Sequence, residues 1–319
     1  MLPIPTQRFA SIFCLSAVLV GTNSHAASGP LFDTAFWQRW GDGRAELAGY
    51  DLVAPRYGAL RKGVAVTIFV TETFSNALRV KADPGKHAKS DELPVMKLNL
   101  VQDFPTGIYD YNLMTSAFVT LAAVNGQPAG SPTKVSFSSQ EWCGNVYSQL
   151  LFDARSMRLA SHSYFDGEAD RTATLPTPPG TVSEDALLLW ARGLAAPVLA
   201  PGETRAVPIA RSLRASRLLH QPQDVQRVTL AHAGRRQGVT VPAGTFDADV
   251  LTAQVQGGRT WTFWVERAQP HRVVQWTCSD GESGRLLASD RLEYWKMHDL
   301  GMESALVELG LRPRADRMP

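Results

Sequence analysis

Residues 259–278 read Arg259-Thr260-Trp261-Thr262-Phe263-Trp264-Val265-Glu266-Arg267-Ala268-Gln269-Pro270-His271-Arg272-Val273-Val274-Gln275-Trp276-Thr277-Cys278. In Trp261 to Glu266 and again in Val273 to Cys278, apolar residues interleave with polar ones, the pattern of a strand with one buried face. The residues between the two runs are too few for a crossover helix and contain Pro270, so the runs pair antiparallel. Similar short runs at 204–209, 225–231, 238–241, 246–254 and 286–295 extend the meander. Gln256-Gly257-Gly258-Arg259 joins two of them as a tight hairpin, because glycine adopts positive φ without steric cost, and Asp280-Gly281-Glu282-Ser283-Gly284 reads as another. The fold class expected is mainly β: large antiparallel, curved sheets or an open barrel with a few short helices.

Working outward, the first half carries strand signals at 46–53, 63–74, 95–104, 109–122, 134–139 and 143–152. Val64-Ala65-Val66-Thr67-Ile68-Phe69-Val70 is apolar on both faces, which predicts a strand covered on two sides. Three helices are expected, at 31–40, at 184–193 with Ser183 as its cap, and at 302–309. Pro176, Pro178, Pro179, Gly180, Pro197, Pro201 and Gly202 break the chain repeatedly. The expected organisation is an N-terminal β unit at 27–175, a Pro-rich connection with a short helix at 176–202, a C-terminal β unit at 203–297, and a helix with a frayed tail at 298–319.

Residues 1–26 read as a signal peptide. Arg8 supplies the positive region, an apolar run follows from Phe9 to Val20, and Gly21-Thr22-Asn23-Ser24-His25-Ala26 is a small, polar cleavage region. The apolar run is too short to span a bilayer, so no transmembrane anchor is expected and the predicted location is the periplasm. Of the three cysteines, Cys14 leaves with the leader, and an oxidising compartment then predicts a Cys143–Cys278 disulfide. About 290 residues remain, enough for a well-filled core.

The 32 Lys and Arg nearly balance the 30 Asp and Glu, so neither nucleic acid nor a strongly acidic partner is expected. The basic clusters at 211–217 and at Arg235-Arg236 lack an aromatic platform and read as solvated edges or loops. Metal-ligand spacings, phosphate-cradling glycine loops and the Gly-x-Ser-x-Gly elbow are absent, so no metal, cofactor or catalytic residue is assigned. Glu266, Asp280, Glu282 and Asp290 fall close together in sequence and supply the carboxylates that a polymer hydrolase would need. Among the many aromatics, Trp261 and Trp264 are the candidates to line a sheet concavity that holds a ligand.

Val241-Pro242-Ala243-Gly244-Thr245-Phe246, with the two runs above and Pro270-His271-Arg272-Val273-Val274, resembles exported bacterial β-sheet proteins of uncharacterised function, which are similar to periplasmic lipoprotein carriers. In the first half, Leu47-Ala48-Gly49-Tyr50, Arg56-Tyr57-Gly58, Phe69-Val70-Thr71-Glu72 and Glu141-Trp142-Cys143-Gly144 are similar to exported proteins labelled septum formation inhibitor Maf. Maf enzymes carry Ser-x-Ser-Pro-Arg-Arg in an α/β domain; this chain has no such segment, so no residue takes a Maf catalytic role. Arg56, Tyr57, Glu72 and Trp142, charged and aromatic groups beside strands, are the binding candidates in this half. The function expected is non-catalytic binding of an apolar or amphipathic envelope component, a lipid or lipoprotein. An envelope-polymer hydrolase and a structural module pairing through a strand edge are the alternatives.

Overall fold

The computed structural model describes residues 32–312; the expected signal peptide and the end of the expected tail lie outside the described residues. Helix α1 (Thr34–Trp40) opens the fold, with the Asp33 side chain accepting from Phe36 N at 2.9 Å and Gly41 ending it. A first meander follows: β1 (Ala45–Arg56), β2 (Ala59–Ser75), β3 (Glu92–Pro105), β4 (Asp110–Thr120), β5 (Pro132–Glu141), β6 (Gly144–Phe152), β7 (Ser156–Ser163) and β8 (Arg171–Pro176). The connection contains β9 (Val182–Ser183), a 3-10 turn (Glu184–Ala186) and α2 (Leu187–Ala191). A second meander holds β10 (Thr204–Ala210), helix α3 (Leu213–Leu219), β11 (Val225–Val241), β12 (Gly244–Val255), β13 (Thr260–Glu266), β14 (Val273–Cys278) and β15 (Ser283–Leu292), and α4 (Ala305–Glu308) lies near the C-terminus.

The fifteen strands of the described residues form one sheet in the order β8-β7-β6-β5-β4-β3-β2-β1-β15-β14-β13-β12-β11-β10-β9. The protein is mainly β, as the alternation predicts. Each half is a meander of neighbours, and the halves join where β1 pairs antiparallel with β15. Among the described residues only the short β9–β10 pairing is parallel. The Gly257-Gly258 turn forms as expected, with Gly257 at φ +68. The two runs expected at 225–231 and 238–241 are one strand, β11, whose register slips at His232/Gly234 and at Arg236/Val239.

The core face is packed with the protein's own side chains: Trp276, Tyr50, Tyr111, Phe104, Phe137 and Phe263 are among the largest fully buried groups, and α2 with Leu187, Leu189 and Trp190 is buried among them. On the other face, Val64, Val66 and Ile68 of β2 pack under Leu309 and Leu311, so β2 is covered on both sides. No helix among the described residues is long and apolar enough to cross a membrane.

Three expectations need correction. Cys143 is an exposed free thiol at the β5–β6 turn and Cys278 a buried one on β14. Five strands stand between β5 and β14 in the sheet, whereas a disulfide needs Cα atoms roughly 5.5 Å apart, so no bridge forms. Ser183 makes no cap; Glu184 and Asp185 instead accept from Ser212 N (3.0 Å) and Leu213 N (2.8 Å), closing the start of α3. The basic cluster at 211–217 is largely this helix and not a solvated edge, since Arg214 and Arg217, three apart, are both buried.

Candidate binding site at one rim of the sheet

In an antiparallel meander alternate hairpins share one end of the sheet, so the β1–β2, β3–β4, β5–β6 and β7–β8 connections lie along one rim. Tyr57-Gly58 closes the first as a two-residue loop with both φ angles positive, +54 and +70. This turn aims Tyr57 at the next hairpin. Its hydroxyl lies 2.6 Å from that of Tyr111 and receives the Tyr109 hydroxyl at 3.2 Å. Arg56 donates to the Tyr111 oxygen from Nε (3.0 Å) and Nη2 (2.8 Å), and its guanidinium lies 4.2 Å from the Tyr57 ring centre. Trp142, 74% exposed, stacks on Tyr109 with ring centres 6.1 Å apart.

Arg56, Tyr57 and Trp142 are therefore brought together, with Tyr109 and Tyr111 added between them. Burial would raise the Tyr57 phenol, but the hydrogen bonds of Tyr109 and Tyr111 and the charge of Arg56 hold it below the ordinary value. Tyr111 is pushed well above it, first by burial and then by its hydrogen bonds to Glu141 and Tyr57.

Glu141 carries the cluster into the interior. It accepts from Arg217 Nη2 of α3 at 2.9 Å, and both side chains are almost wholly buried. The Arg217 guanidinium lies 3.7 Å from the Phe165 ring centre. Beside it a cleft of about 470 Å³ opens between α3 and strands β6 and β7. Val146, Leu159 and Leu213 give it apolar surface, Ser148, Ser161 and Ser216 give it hydroxyls, and Glu168, Arg171 and His220 line it further out. Glu168 is held by His220 Nδ1 and by the Ser163 hydroxyl (3.2 Å). Arg217 Nε and Nη1 are buried without a hydrogen-bond partner.

The other candidates lie elsewhere. Glu72 sits towards the far end of β2, 3.0 Å from Lys97 Nζ on β3. Trp261 is buried, stacked on Phe263, and donates from Nε1 to Glu184 at 3.0 Å. Trp264 alternates away from it along β13 and packs, half-buried, at the margin of the core.

The carboxylates named for hydrolysis are each engaged by protein groups. Glu266 takes two bonds from the Arg272 guanidinium (2.6 and 2.8 Å) and one from its backbone N (3.0 Å), Asp280 accepts from Arg259 Nη1 (3.3 Å) and Glu282 N (3.0 Å), and Asp290 accepts from Arg291 N (2.6 Å). Glu282 is buried against Arg214, Gln102 and Trp276. Asp185, which the carboxylate reading overlooked, is pushed up to about 6 by burial, yet both its oxygens serve Ser212 and Leu213 at the start of α3. Sequence reasoning also missed the cleft, because α3 was not recognised; Ser212 before Leu213 was the available signal, and its hydroxyl does cap the helix.

No protein-family model matches the chain. No curated protein matches it. Among solved structures it is similar to a β-barrel-like protein of domain of unknown function DUF1849 from Brucella abortus, at 12% identity and a TM-score of 0.45, with 78% of this chain and 98% of that chain covered. The comparisons add nothing to the resemblances to lipoprotein carriers or to Maf-labelled proteins.

Proposed function

We propose that this is an exported envelope protein that binds an amphipathic molecule, without transforming it, in the cleft between α3 and strands β6 and β7. The observation that carries this reading is the cleft itself: about 470 Å³, within the size range of small-molecule sites, with apolar and hydrogen-bonding groups side by side. Binding is favoured over hydrolysis because Glu266, Asp280 and Glu282 of the second meander are held in ion pairs and Asp185 of the connection serves the start of α3. Pairing through a strand edge is less favoured, since the outer edge strand β8 is short, begins at Arg171 and ends at Pro176, features that discourage further pairing.

The test is titration of the exported chain with the apolar fluorophore 1-anilinonaphthalene-8-sulfonate, beside a Ser216→Trp variant that fills the cleft from α3. Saturable uptake that the variant loses supports the reading; no uptake, or equal uptake by both, counts against it. For location, the full 319-residue sequence is expressed: osmotic-shock release of a product with a new N-terminus near Ala27 is the supporting result, and retention in the cytoplasm with the leader intact is the opposing one.

A further inference from the structure

We infer that the cleft recognises its ligand through an oxyanion head, a carboxylate or a phosphate, received by Arg217, with the apolar part lying along Val146, Leu159 and Leu213. This rests on the cleft being the binding site, as proposed above. A guanidinium carries five N–H donors, and a buried donor left unmet is costly. Arg217 gives one nitrogen to Glu141, while Nε and Nη1 have no partner. Tyr111 links Arg56 to Glu141, so two guanidinium groups, Arg56 and Arg217, share one carboxylate in this chain of contacts.

Nearer the mouth, Glu168 is tied to His220 and Ser163, and Asp166 accepts from Gly167 N at 2.9 Å. Arg171 donates to the Gly167 carbonyl and adds a further positive charge at the cleft. An entering oxyanion thus meets a buried cation whose Nε and Nη1 donors have no partner. A cationic or purely apolar ligand would leave those donors unmet. Charge-assisted bonds of this kind are the strong ones.

The test is calorimetric titration of the exported chain, below micelle formation, with dodecanoate, dodecyl phosphate, dodecanol and dodecyltrimethylammonium. At least one oxyanion should bind about tenfold or more tighter than the alcohol, with the cation weakest. The tighter of dodecanoate and dodecyl phosphate identifies the head. In the paired variant Arg217→Met with Glu141→Gln, which leaves no stranded charge, that preference should vanish while the chain length still binds.

Equal affinity of the alcohol and both oxyanions for the unaltered protein overturns the inference and leaves the cleft reading standing. A preference that survives in a folded paired variant also overturns it. Failure of all four probes to bind is instead the failure of the cleft reading itself. If the paired variant does not fold, the comparison of heads on the unaltered protein decides.

Discussion

Trp276 and Gly284 face each other across β14 and β15, and the indole ring fills the space that a side chain at Gly284 would need: a Cβ there would lie 2.2 Å from Cη2. Trp276 is fully buried, packs on Tyr50 at 4.6 Å between ring centres, and donates to Glu282 at 3.3 Å, so it has nowhere to retreat. Gly284→Ala should therefore cost about 1–3 kcal/mol through overpacking, read as a lowered thermal midpoint. An unchanged midpoint would show that the indole can move.

Glu46 joins the opening helix to the connection between the meanders. It accepts from Arg192 Nη1 at 2.6 Å and Arg39 Nη2 at 2.5 Å, while Arg192 also donates to the carbonyls of Pro270 and His271, both at 3.0 Å. Burial alone would raise the Glu46 carboxyl, but the two arginines hold it below the usual value. Its contribution is thus present above the ordinary carboxylate pKa and lost as pH falls through the lower folded value. Glu46→Ala, which strands buried Arg192, should cost about 3–5 kcal/mol in denaturant unfolding at pH 7, and the deficit should narrow in strong acid. A deficit that does not change with pH would contradict the ionised pairing.

Asp185 titrates in the opposite sense. Its folded pKa of about 6 lies above the ordinary 3.8, so the folded state holds the proton more tightly than the unfolded one. Stability from this group is complete below pH ~4 and is lost as pH rises through ~6. Relative to the native chain, Asp185→Asn should gain stability between these pH values, by an amount on the order of 1–3 kcal/mol when compared at pH 4 and pH 7. A difference that is flat with pH would place the carboxyl in an ordinary environment.

The thiols of Cys143 and Cys278 should differ sharply in reactivity. Cys143 is exposed, whereas burial pushes the Cys278 thiol up to about 12. Iodoacetamide should label Cys143 in the folded protein and both cysteines only after unfolding, without any reductant. Failure to label either one until a reductant is added would restore the disulfide.

The β architecture was legible because strand periodicity is local. Alternation in Trp261 to Glu266 and glycines at 257 and 258 suffice for a hairpin wherever it packs. Strands β7 and β8 escaped notice because their cues are weak: Arg158, His162 and Arg171 interrupt the apolar pattern, and nearly all of β8 is exposed. Helix α3 escaped because seven residues with three arginines nearby look solvated until their partners are known.

Those partners are remote in the chain. Arg217 meets Glu141 across 76 residues and Arg214 meets Glu282 across 68, and no local pattern encodes either pairing. By itself, then, the amino-acid order determined most of the strand segments, β7 and β8 excepted, and that neighbours pair antiparallel, since both follow from side-chain alternation and short turns. Tertiary structure decided which charges are buried, which thiols stay apart and where a cleft opens, because burial and electrostatic pairing depend on elements that only the assembled sheet brings together.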